Sequence, residues 1–504
     1  AGRLFDSDPA GIRASSKKRD SEAETSDRFG VLIDTFHDHE NALAFVTTPA
    51  GLRFDAAVFR DAQGSMPMSL PMNTSWNTFW DVAVARTDEG WFAEMRIPVT
   101  SLRFEENGGM VCMGFTAFRW IARKNEINVF PAIPKNWGER SAWKPSQAQE
   151  TLWPGLRSRR PLHITPYILA GSDKSSFLNP VGTAYVTEGG PKLDIGLDVK
   201  YGLTSNLTLD ATVNTDFAQV EADDVQVNLT RFSMYVPEKR LFFQERSSNF
   251  DFNMGGPNTL FYSRQVGLRG DLPVRIYGGG RLVGRIGGWD VGLLDMQTAP
   301  AREASGENFG VLRLRRQAIN PYSYVGGIVT SRLGAGGQYN AAYGLDGIWR
   351  VKGDDYLSFH WAQTFEDGAA NRVDSLDGAR IGLNWERRTH RGFGGALRYS
   401  RTGPAFDPAM GFLMRTSYTS WSGRFLYGWF PGKDSVLSDH SASIDGRFYW
   451  DVVTKELQSF ETGPGWEFTA KSGLSGRFGP KLMFENVTEP FELTAEAVVP
   501  AGRY

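Results

Sequence analysis

The sequence lacks several features on which common protein classes depend. It has a single cysteine, Cys112, in 504 residues, which excludes an intramolecular disulfide and a CxxC metal or redox site. It has no run of about 18 apolar residues, which excludes a transmembrane helix. A net charge of -2, from 55 basic and 57 acidic residues, gives no basic footprint for nucleic acid. Nucleic acid is therefore not an expected partner.

Recognisable catalytic motifs are also missing. The sequence contains no GxSxG elbow, P-loop, HExxH pair or dinucleotide fingerprint in a strand–helix context. Glycoside hydrolysis needs two carboxylates about 5 to 10 Å apart in space, so Glu94 and Glu245 are only unpaired candidates. We do not predict an enzyme, and a glycoside-bond-acting enzyme remains an alternative.

Glycine and aromatic residues, in contrast, are abundant: 56 Gly, 15 Trp, 16 Tyr and 34 Phe. This composition favours strands and tight turns. The first part of the chain shows short strand patterns separated by turn clusters, at residues 30–35, 42–47, 52–59, 80–86 and 91–97. Their spacing predicts a β-sandwich. Residues 135–160 are rich in Trp, Pro and Arg and read as a linker, which places the domain boundary near Gly155.

Beyond Gly155, apolar and polar residues alternate in longer segments, at residues 192–201, 206–213, 343–351, 379–385, 393–399 and 444–450. The first two segments, joined at residues 202–205, predict a hairpin in which Leu193 and Ile195 lie on the outward apolar face. Segments of about ten residues exceed the ~5 to 6 of soluble strands and are typical of outer-membrane barrels. We therefore predict an all-β protein with an N-terminal β-sandwich (residues 1–155) followed by an antiparallel outer-membrane β-barrel (residues 156–504). Outer-membrane lipid is then an expected partner. A soluble sandwich or propeller is the alternative.

A long segment, residues 214–258, interrupts the barrel pattern. Loops of this length are usually functional or plugging. Its YVPEKRLFFQE core places Glu238, Lys239, Arg240 and Glu245 among phenylalanines. This composition suits a plug or constriction folded into the barrel, and a surface loop is the equally weighted alternative.

The same region carries a family resemblance. NTDFAQVEADDVQVNLTRFSMYVPEKRLFFQE (residues 214–245) resembles the hallmark segment of a family of bacterial outer-membrane proteins of unknown function. N-terminal segments resemble that family in the same order: DRFGVLIDTFHD (27–38), TSWNTFWDV (74–82), GWFAEMRIPVTSLRF (90–104) and FRWIARKNE (118–126). The resemblance implies a domain like carbohydrate-binding-module family nine, facing the periplasm or the lumen. This domain is joined to a C-terminal barrel whose substrate is not established.

The resemblance also bears on the ends of the chain. The chain begins at Ala1 without an initiator Met or a signal peptide, so we expect a fragment or a processed chain. Members of the family typically run on past the point where this chain stops. VVPAGRY (residues 498–504) is therefore expected to open a strand that is cut short, which would leave the barrel incomplete.

Sugar sites stack pyranose faces on aromatic rings and bind hydroxyl groups with polar side chains. The candidates in the sandwich are Trp76, Trp80 and Trp91 with Asn73, Asp81 and Arg96. Trp80 and Trp91 lie on strand-like segments, where a core position is the more common outcome. Glycan is accordingly a candidate partner.

The TFHDH segment (residues 35–39) offers two candidate metal sites. Asp34 and Asp38, together with Glu40, could supply oxygens to a structural calcium, and a solvated acidic turn is the more common alternative. His37 and His39 lie two residues apart, on one face of an expected strand, but the sequence shows no third ligand for a transition metal.

Several arginines fall on the polar strand faces: Arg313, Arg315, Arg380, Arg398, Arg424 and Arg447. Arginines facing a lumen would favour anions or anionic sugars, whereas opposed Asp and Glu would give a closed, salt-bridged lumen. The predicted function is glycan binding or passage at the cell envelope, and a plugged barrel acting as a structural anchor is a further alternative.

Overall fold

The structure is a computed structural model of the 504-residue chain. It describes all residues except 22–24, 64–71, 75, 105, 158–159, 161, 180, 216–231, 245, 270–271, 301–304, 370–371 and 495–496. No helix in the described part of the chain is long and apolar enough to cross a membrane.

The N-terminal part forms two antiparallel sheets from short strands. In chain order these are β1 (Gly2–Phe5), β2 (Arg28–Asp34), β3 (Ala42–Thr47), β4 (Arg53–Val58), β5 (Met72–Asn73), β6 (Asp81–Thr87), β7 (Gly90–Arg96), β8 (Glu106–Asn107), β9 (Met110–Ile121), β10 (Glu126–Phe130) and β11 (Gln149–Pro154). One sheet has the order β1-β7-β6, and the other runs β10-β9-β2-β3-β4-β5, with β8 and β11 also paired to β9.

Side chains from both sheets meet in one core. Phe45 and Met113 come from the larger sheet, and Val82 and Met95 from the smaller one, with Trp80 buried among them. Burying an aromatic side chain of this size is worth several kcal/mol and holds the sheets face to face. The predicted β-sandwich is therefore confirmed, and the ends of the predicted strands differ from the observed ends by at most two residues.

The predicted linker, in contrast, is largely part of the sandwich. A series of 3-10 turns spans Lys135–Trp143 and Pro145–Gln147, and Trp137, Ala142 and Lys144 are buried there. β11 then pairs along β9, with Thr151 opposite Met113. The composition predicts a loop, because polar and apolar residues do not alternate in this Trp- and Pro-rich stretch as they do in a strand. Long-range pairing to β9 decides the structure instead.

The remaining strands belong mainly to one large sheet. They are β12 (Leu162–Leu178), β13 (Tyr185–Gly202), β14 (Leu207–Val213), β15 (Leu268–Arg269), β16 (Leu272–Pro273), β17 (Ile276–Ile286), β18 (Trp289–Thr298), β19 (Glu307–Gln317), β20 (Tyr324–Gly334), β21 (Tyr339–Lys352), β22 (Asp355–Glu366), β23 (Ala379–Arg387), β24 (Gly392–Thr402), β25 (Tyr418–Trp429), β26 (Leu437–Asp451), β27 (Leu457–Ala470), β28 (Ser475–Phe478), β29 (Leu482–Val487), β30 (Phe491–Thr494), β31 (Ala497–Val499) and β32 (Gly502–Arg503).

Seventeen of these strands pair in the order β12-β13-β14-β17 and then consecutively to β29 and β32. Each neighbour is antiparallel, as in the predicted hairpin where Leu209 of β14 lies opposite Tyr201 of β13. Among the described residues, β15 pairs only with β16, and β30 only with β31. The chain is thus all-β, an N-terminal sandwich followed by a large antiparallel sheet, and the predicted fold class is confirmed.

The sheet curls around the segment that connects β14 to β17. Asn249 of this segment donates from Nδ2 to Gly284 O on β17, and Met254 O accepts from Arg380 on β23. β17 and β23 are six strand spacings apart, about 29 Å across a flat sheet, whereas five extended residues reach only about 17 Å. A flat sheet could not make both contacts, so the strands wrap around the segment.

We call this segment the insert, residues 214–275. It is longer than the predicted 214–258, because β17 does not begin until Ile276. It contains a helical turn α1 (Leu241–Gln244) and 3-10 turns at Ser247–Phe250 and Ser263–Gln265. Phe252 and Leu260 are fully buried against apolar residues of the sheet such as Met296 and Phe309. The described insert therefore lies on the inner side of the sheet, and the inner face is apolar where the insert packs.

Candidate functional site

The sandwich, the insert and the inner face of the sheet meet at one end of the sheet. We call it the short-turn end, because two-residue turns at 287–288 and 353–354 connect strands there. The sandwich contributes residues 35–41, which we call the docking loop, and the 3-10 turn Arg60–Ala62.

Ion pairs connect these parts. Asp38 of the docking loop lies 3.4 Å from Arg285 of β17, and Glu40 lies 2.9 Å from Arg315 of β19. Arg285 and Arg315 also share Asp290, at 2.7 and 3.1 Å. The docking loop therefore completes a charge network whose other members belong to the large sheet.

The docking loop is shaped by its own carboxylates. Asp34, at the end of β2, accepts from the backbone N–H groups of Asp38 and His39. Asp38 accepts from the backbone N–H groups of Glu40 and Asn41 and from Asn41 Nδ2. Burial, reinforced by the neighbouring Asp38, raises the pKa of Asp34 well above its usual range. Asp34 and Asp38 thus act here as turn formers, and calcium binding by this pair stays a prediction.

A second buried pair supports the interface from the sandwich side. Lys144 Nζ lies 2.6 Å from Asp61 Oδ2, and both side chains are almost completely buried. Burial lowers the pKa of Lys144, while Asp61 acts in the opposite direction. The stretch that contains Lys144 thus positions the Arg60–Ala62 turn beside the sheet.

A cavity of about 140 Å³ lies between these parts. One ordered water needs roughly 10 to 15 Å³ by the same measure, so the space suits a small solute. Its lining combines three tyrosines, Tyr322, Tyr324 and Tyr356, with charged and amide side chains from five different strands and from the docking loop. Charged and amide side chains outnumber the aromatic ones in this lining, so the cavity is a polar site that can form hydrogen bonds with a solute.

Some polar groups of this lining have no protein partner. His360 Nε2 on β22 and Asn384 Oδ1 on β23 are buried, and neither has a hydrogen-bond partner among the described residues. Asn384 lies directly opposite Arg398 of β24 in the strand register. Arg398 also lines the cavity and forms no salt bridge with another residue in the described part of the chain. Buried polar groups of this kind require water or a ligand as a partner.

Four of the other predicted lumen arginines fall into two groups, whereas Arg447 on β26 is exposed. Arg313 pairs with Asp346 at 2.6 Å, Arg315 with Glu40, and Arg424 with Glu467 at 3.1 Å. Arg380 donates instead to neutral oxygens, including Tyr418 Oη and Met254 O. The inner face is therefore salt-bridged over much of its area, with Arg398 as the exception in the cavity.

The predicted plug residues hold the insert together. Arg240 donates to both carboxylate oxygens of Glu238 and to the backbone oxygens of Ser263 and Val266. Lys239 is half-buried in the same turn, and Glu245 lies outside the described residues. A constriction formed by these residues stays a prediction.

The sugar candidates of the sandwich are placed very differently from one another. Trp80 and Trp91 are 2% and 0% exposed, so neither ring has a face for a sugar. This corrects the stacking assignment for both. Trp76 is half-buried against Phe45, with the ring centroids 6.1 Å apart.

The polar candidates for sugar binding lie on strands of the sandwich. Asp81 and Arg96 are exposed cross-strand neighbours on β6 and β7, whereas Asn73 lies on β5 of the other sheet. Glu94 is exposed on β7, opposite Ala83. Only Asp81 and Arg96 are therefore brought together by the fold.

The sequence did not point to the cavity residues His360, Asn384, Tyr322, Tyr324 and Tyr356. Tyr324, Asn384 and the pair Tyr356 and His360 lie on three different strands, and Tyr322 lies in the loop before β20. The strand register brings them together. The alternation of each strand could have placed His360 and Asn384 on the inner face, but not beside each other. His37 and His39 were expected on a strand and instead lie in a turn, with φ of 50° and 62°.

Comparisons with known proteins give a family match for part of the chain. Residues 162–274 match the family model DUF5916, a domain of unknown function. This range includes the hallmark segment at residues 214–245, whereas the sandwich lies outside it. No curated protein matches the chain.

Solved structures with similarity to this chain include bacterial proteins from two organisms. Pseudomonas aeruginosa OccK7 (OpdD) is 10% identical, with a TM-score of 0.28 and coverage of 91% of this chain and 92% of that one. Acinetobacter baumannii OccAB1 is 12% identical, with a TM-score of 0.29 and coverage of 91% and 89%. At such TM-scores this similarity carries no argument about the chain.

Proposed function

We propose that the protein is an outer-membrane β-barrel protein that binds a small hydroxyl-rich solute, such as a glycan fragment, inside its sheet and controls its passage. The observation that carries this proposal is the cavity lining, in which Arg398, His360 and Asn384 face a space bounded by tyrosines. Guanidinium, imidazole and amide groups are suited to bind hydroxyl groups.

The outer face of the sheet supports a membrane location. Alternate residues on consecutive strands are large, apolar and exposed, including Leu293, Leu312, Val329, Leu345, Leu383, Leu397, Trp421 and Ile444. A patch of this extent is unusual for a protein in water. Ten strand residues tilted by about 45° rise roughly 24 Å, close to the apolar band of outer-membrane barrels. The expected partner of this face is lipid.

The position of the sandwich supports an orientation. Outer-membrane barrels have short turns on the periplasmic side and longer loops outside. The sandwich contacts the short-turn end, through Glu40 and Arg315 for example. A periplasmic sandwich that covers the inner end of the cavity is therefore part of the proposal.

The experiment is uptake of an oligosaccharide panel by liposomes that contain the full chain. We expect uptake of at least one glycan class above empty liposomes, and a large reduction in Arg398→Ala and Asn384→Ala. Arg477→Ala is the matched control, because Arg477 on β28 is exposed and outside the cavity lining. Uptake equal to that of empty liposomes across the panel, or unchanged uptake in Arg398→Ala, would contradict the proposal. A chain that stays soluble and monomeric without detergent would contradict the membrane location.

The insert favours a second candidate, a plugged barrel that anchors the sandwich. Seventeen buried apolar residues form the cluster that joins insert and sheet, so the insert is firmly packed. Conductance in planar bilayers separates the two functions. No current before and after removal of residues 214–258 would support the anchor, whereas current after removal would support a passage.

The family resemblance also implies that the sandwich itself binds a glycan, and this is a separate part of the proposal. It rests on half-buried Trp76 and on the exposed neighbours Asp81 and Arg96. A glycan array with the full chain and a Trp76→Ala variant tests it. Loss of a bound glycan in that variant alone would support capture by the sandwich, and binding unchanged by Trp76→Ala would remove Trp76 from the site.

A further inference from the structure

Three side chains with metal-binding atoms meet beside the docking loop. Cys112 Sγ lies 3.6 Å from His37 Nδ1, and His37 Nε2 lies 4.0 Å from Glu150 Oε2. One ligand atom from each residue lies within 4.8 Å of the other two. The three residues belong to separate segments, so the fold and not the local sequence brings them together.

The pairing of β9 with β11 explains the position of two of them. Leu152 lies opposite Cys112, and Glu150 lies opposite Gly114. Residues two apart on a strand share a face, so Cys112 and Glu150 project from the same face of the sheet as diagonal neighbours. His37 reaches them from the docking loop, which Asp34 holds in place through its hydrogen bonds to Asp38 and His39.

We propose that His37, Cys112 and Glu150 form a binding site for a zinc ion. Zinc binds sulfur at about 2.3 Å and nitrogen at about 2.0 Å in tetrahedral geometry, which places those two ligand atoms roughly 3.5 Å apart. The Cys112–His37 separation of 3.6 Å fits this value. Glu150 closes the site by a change of rotamer, since its side chain is 61% exposed.

The donor set selects the class of metal. One thiolate, one imidazole and one carboxylate suit zinc and similar divalent transition metals, whereas calcium and magnesium prefer oxygen ligands alone. Three protein ligands leave the fourth tetrahedral position to water. The ion enters from solvent, because the His37 and Glu150 side chains are both accessible.

Zinc at this site would stiffen the contact between sandwich and sheet. The same loop that carries His37 also carries His39, whose ring lies 5.0 Å from that of Tyr322, and Glu40, which pairs with Arg315. A metal bond from His37 to β9 and β11 fixes the loop against its own domain. This consequence does not depend on which solute, if any, occupies the cavity.

The experiment measures zinc and cobalt binding by the full chain in detergent. We expect one equivalent of zinc per chain, and a thiolate-to-cobalt charge-transfer absorption with cobalt. Cys112→Ser and Glu150→Gln should each weaken zinc binding by at least about 100-fold. His163→Gln is the matched control, since His163 is an exposed histidine on β12, and it should bind as the wild type does.

Cys112 is the single thiol, so its labelling rate gives a second readout. Zinc should slow labelling by a thiol reagent in the wild type and in His163→Gln, but not in Glu150→Gln. Glu150 is exposed, so this variant should fold even if Cys112→Ser does not. Equal zinc binding by the wild type and Glu150→Gln, or thiol labelling that zinc does not slow, would overturn the proposal.

Discussion

Arg60 of the sandwich and Asp251 of the insert form a two-bonded ion pair, with Nε–Oδ2 at 2.7 Å and a second bond at 2.5 Å. The two residues are 191 positions apart in the sequence. The pair links the domain that covers the short-turn end directly to the segment inside the sheet, as does the stacking of Arg246 of the insert on the Phe36 ring of the docking loop.

We expect Arg60→Ala to loosen the docking loop without unfolding the sandwich. Both side chains are about one-third exposed, so the loss is about 1 kcal/mol. Hydrogen exchange of the backbone amides at residues 35–41 should become about fivefold faster, which is the change that a loss of about 1 kcal/mol produces. Arg372→Ala is the control. Arg372 forms a similar ion pair with Asp374, but both side chains are more than two-thirds exposed. Equal exchange rates in both variants would show that the Arg60 pair does not hold the loop.

The stability of the interface should depend on pH through Glu40. Burial raises the pKa of Glu40 to about 7, although Arg315 acts in the opposite direction. An unfolded glutamate titrates near 4.3, so folding favours the neutral form. The Glu40 contribution is therefore fully present below about pH 4.3 and is lost as the pH rises through about 7.

The measurement is the thermal midpoint of the wild type and of Glu40→Gln between pH 4.5 and 8. The difference between them isolates Glu40 from other titrating groups. The wild type should lose up to about 3 kcal/mol relative to Glu40→Gln across this range. A difference that is constant with pH, or that changes in the opposite direction, would contradict the assignment.

The buried pair of Arg313 and Asp346 should be sensitive to the loss of one partner. The two side chains are bonded at 2.6 and 2.7 Å and are almost inaccessible. Removing one partner leaves a buried charge, so Arg313→Leu should cost about 3 to 5 kcal/mol of unfolding free energy. The double variant Arg313→Leu with Asp346→Leu should recover most of the unfolding free energy that Arg313→Leu loses. The free energy of unfolding is measured by urea titration in lipid vesicles. If the double variant loses as much as the two single variants together, the two side chains are not coupled.

Phe252 should be the residue on which the position of the insert depends most. It is fully buried, and a Cβ at Gly344 of β21 would lie 2.5 Å from its ring. Phe252→Ala should cost about 3 to 5 kcal/mol through the cavity it leaves. Gly344→Ala should cost about 1 to 3 kcal/mol through overpacking. Phe359→Ala, at an exposed position on β22, is the control for both and should change stability little.

The strands could be predicted because their pattern is local. Residues 42–47 were predicted as a strand and form β3 with the same bounds, and the hairpin between β13 and β14 was predicted from alternation alone. The orientation of Leu193 and Ile195 was also predicted, since an outward apolar face is a period-two property.

What the sequence could not predict depends on contacts between distant residues. Trp76 and Trp80 belong to the same short segment, yet packing by Phe45 and other core residues buries only Trp80 completely. The end of the insert was misplaced because residues 259–275 are fixed by contacts such as Thr259 with Phe412, not by a local period. The cavity and the His37–Cys112–Glu150 cluster require the strand register, which composition and spacing do not contain.

The enclosed position of the insert has a consequence for how the chain folds. Asn258 accepts a bond from Met414, 156 residues later, and Arg380 reaches Met254 across 126 residues. The insert is synthesised before β17 and the later strands that supply its apolar contacts, so its apolar side chains stay uncovered until those strands are made. Contacts of such sequence separation form slowly. Assembly should therefore be slow, and the half-formed sheet with its open hydrophobic interior is the species most in need of a chaperone.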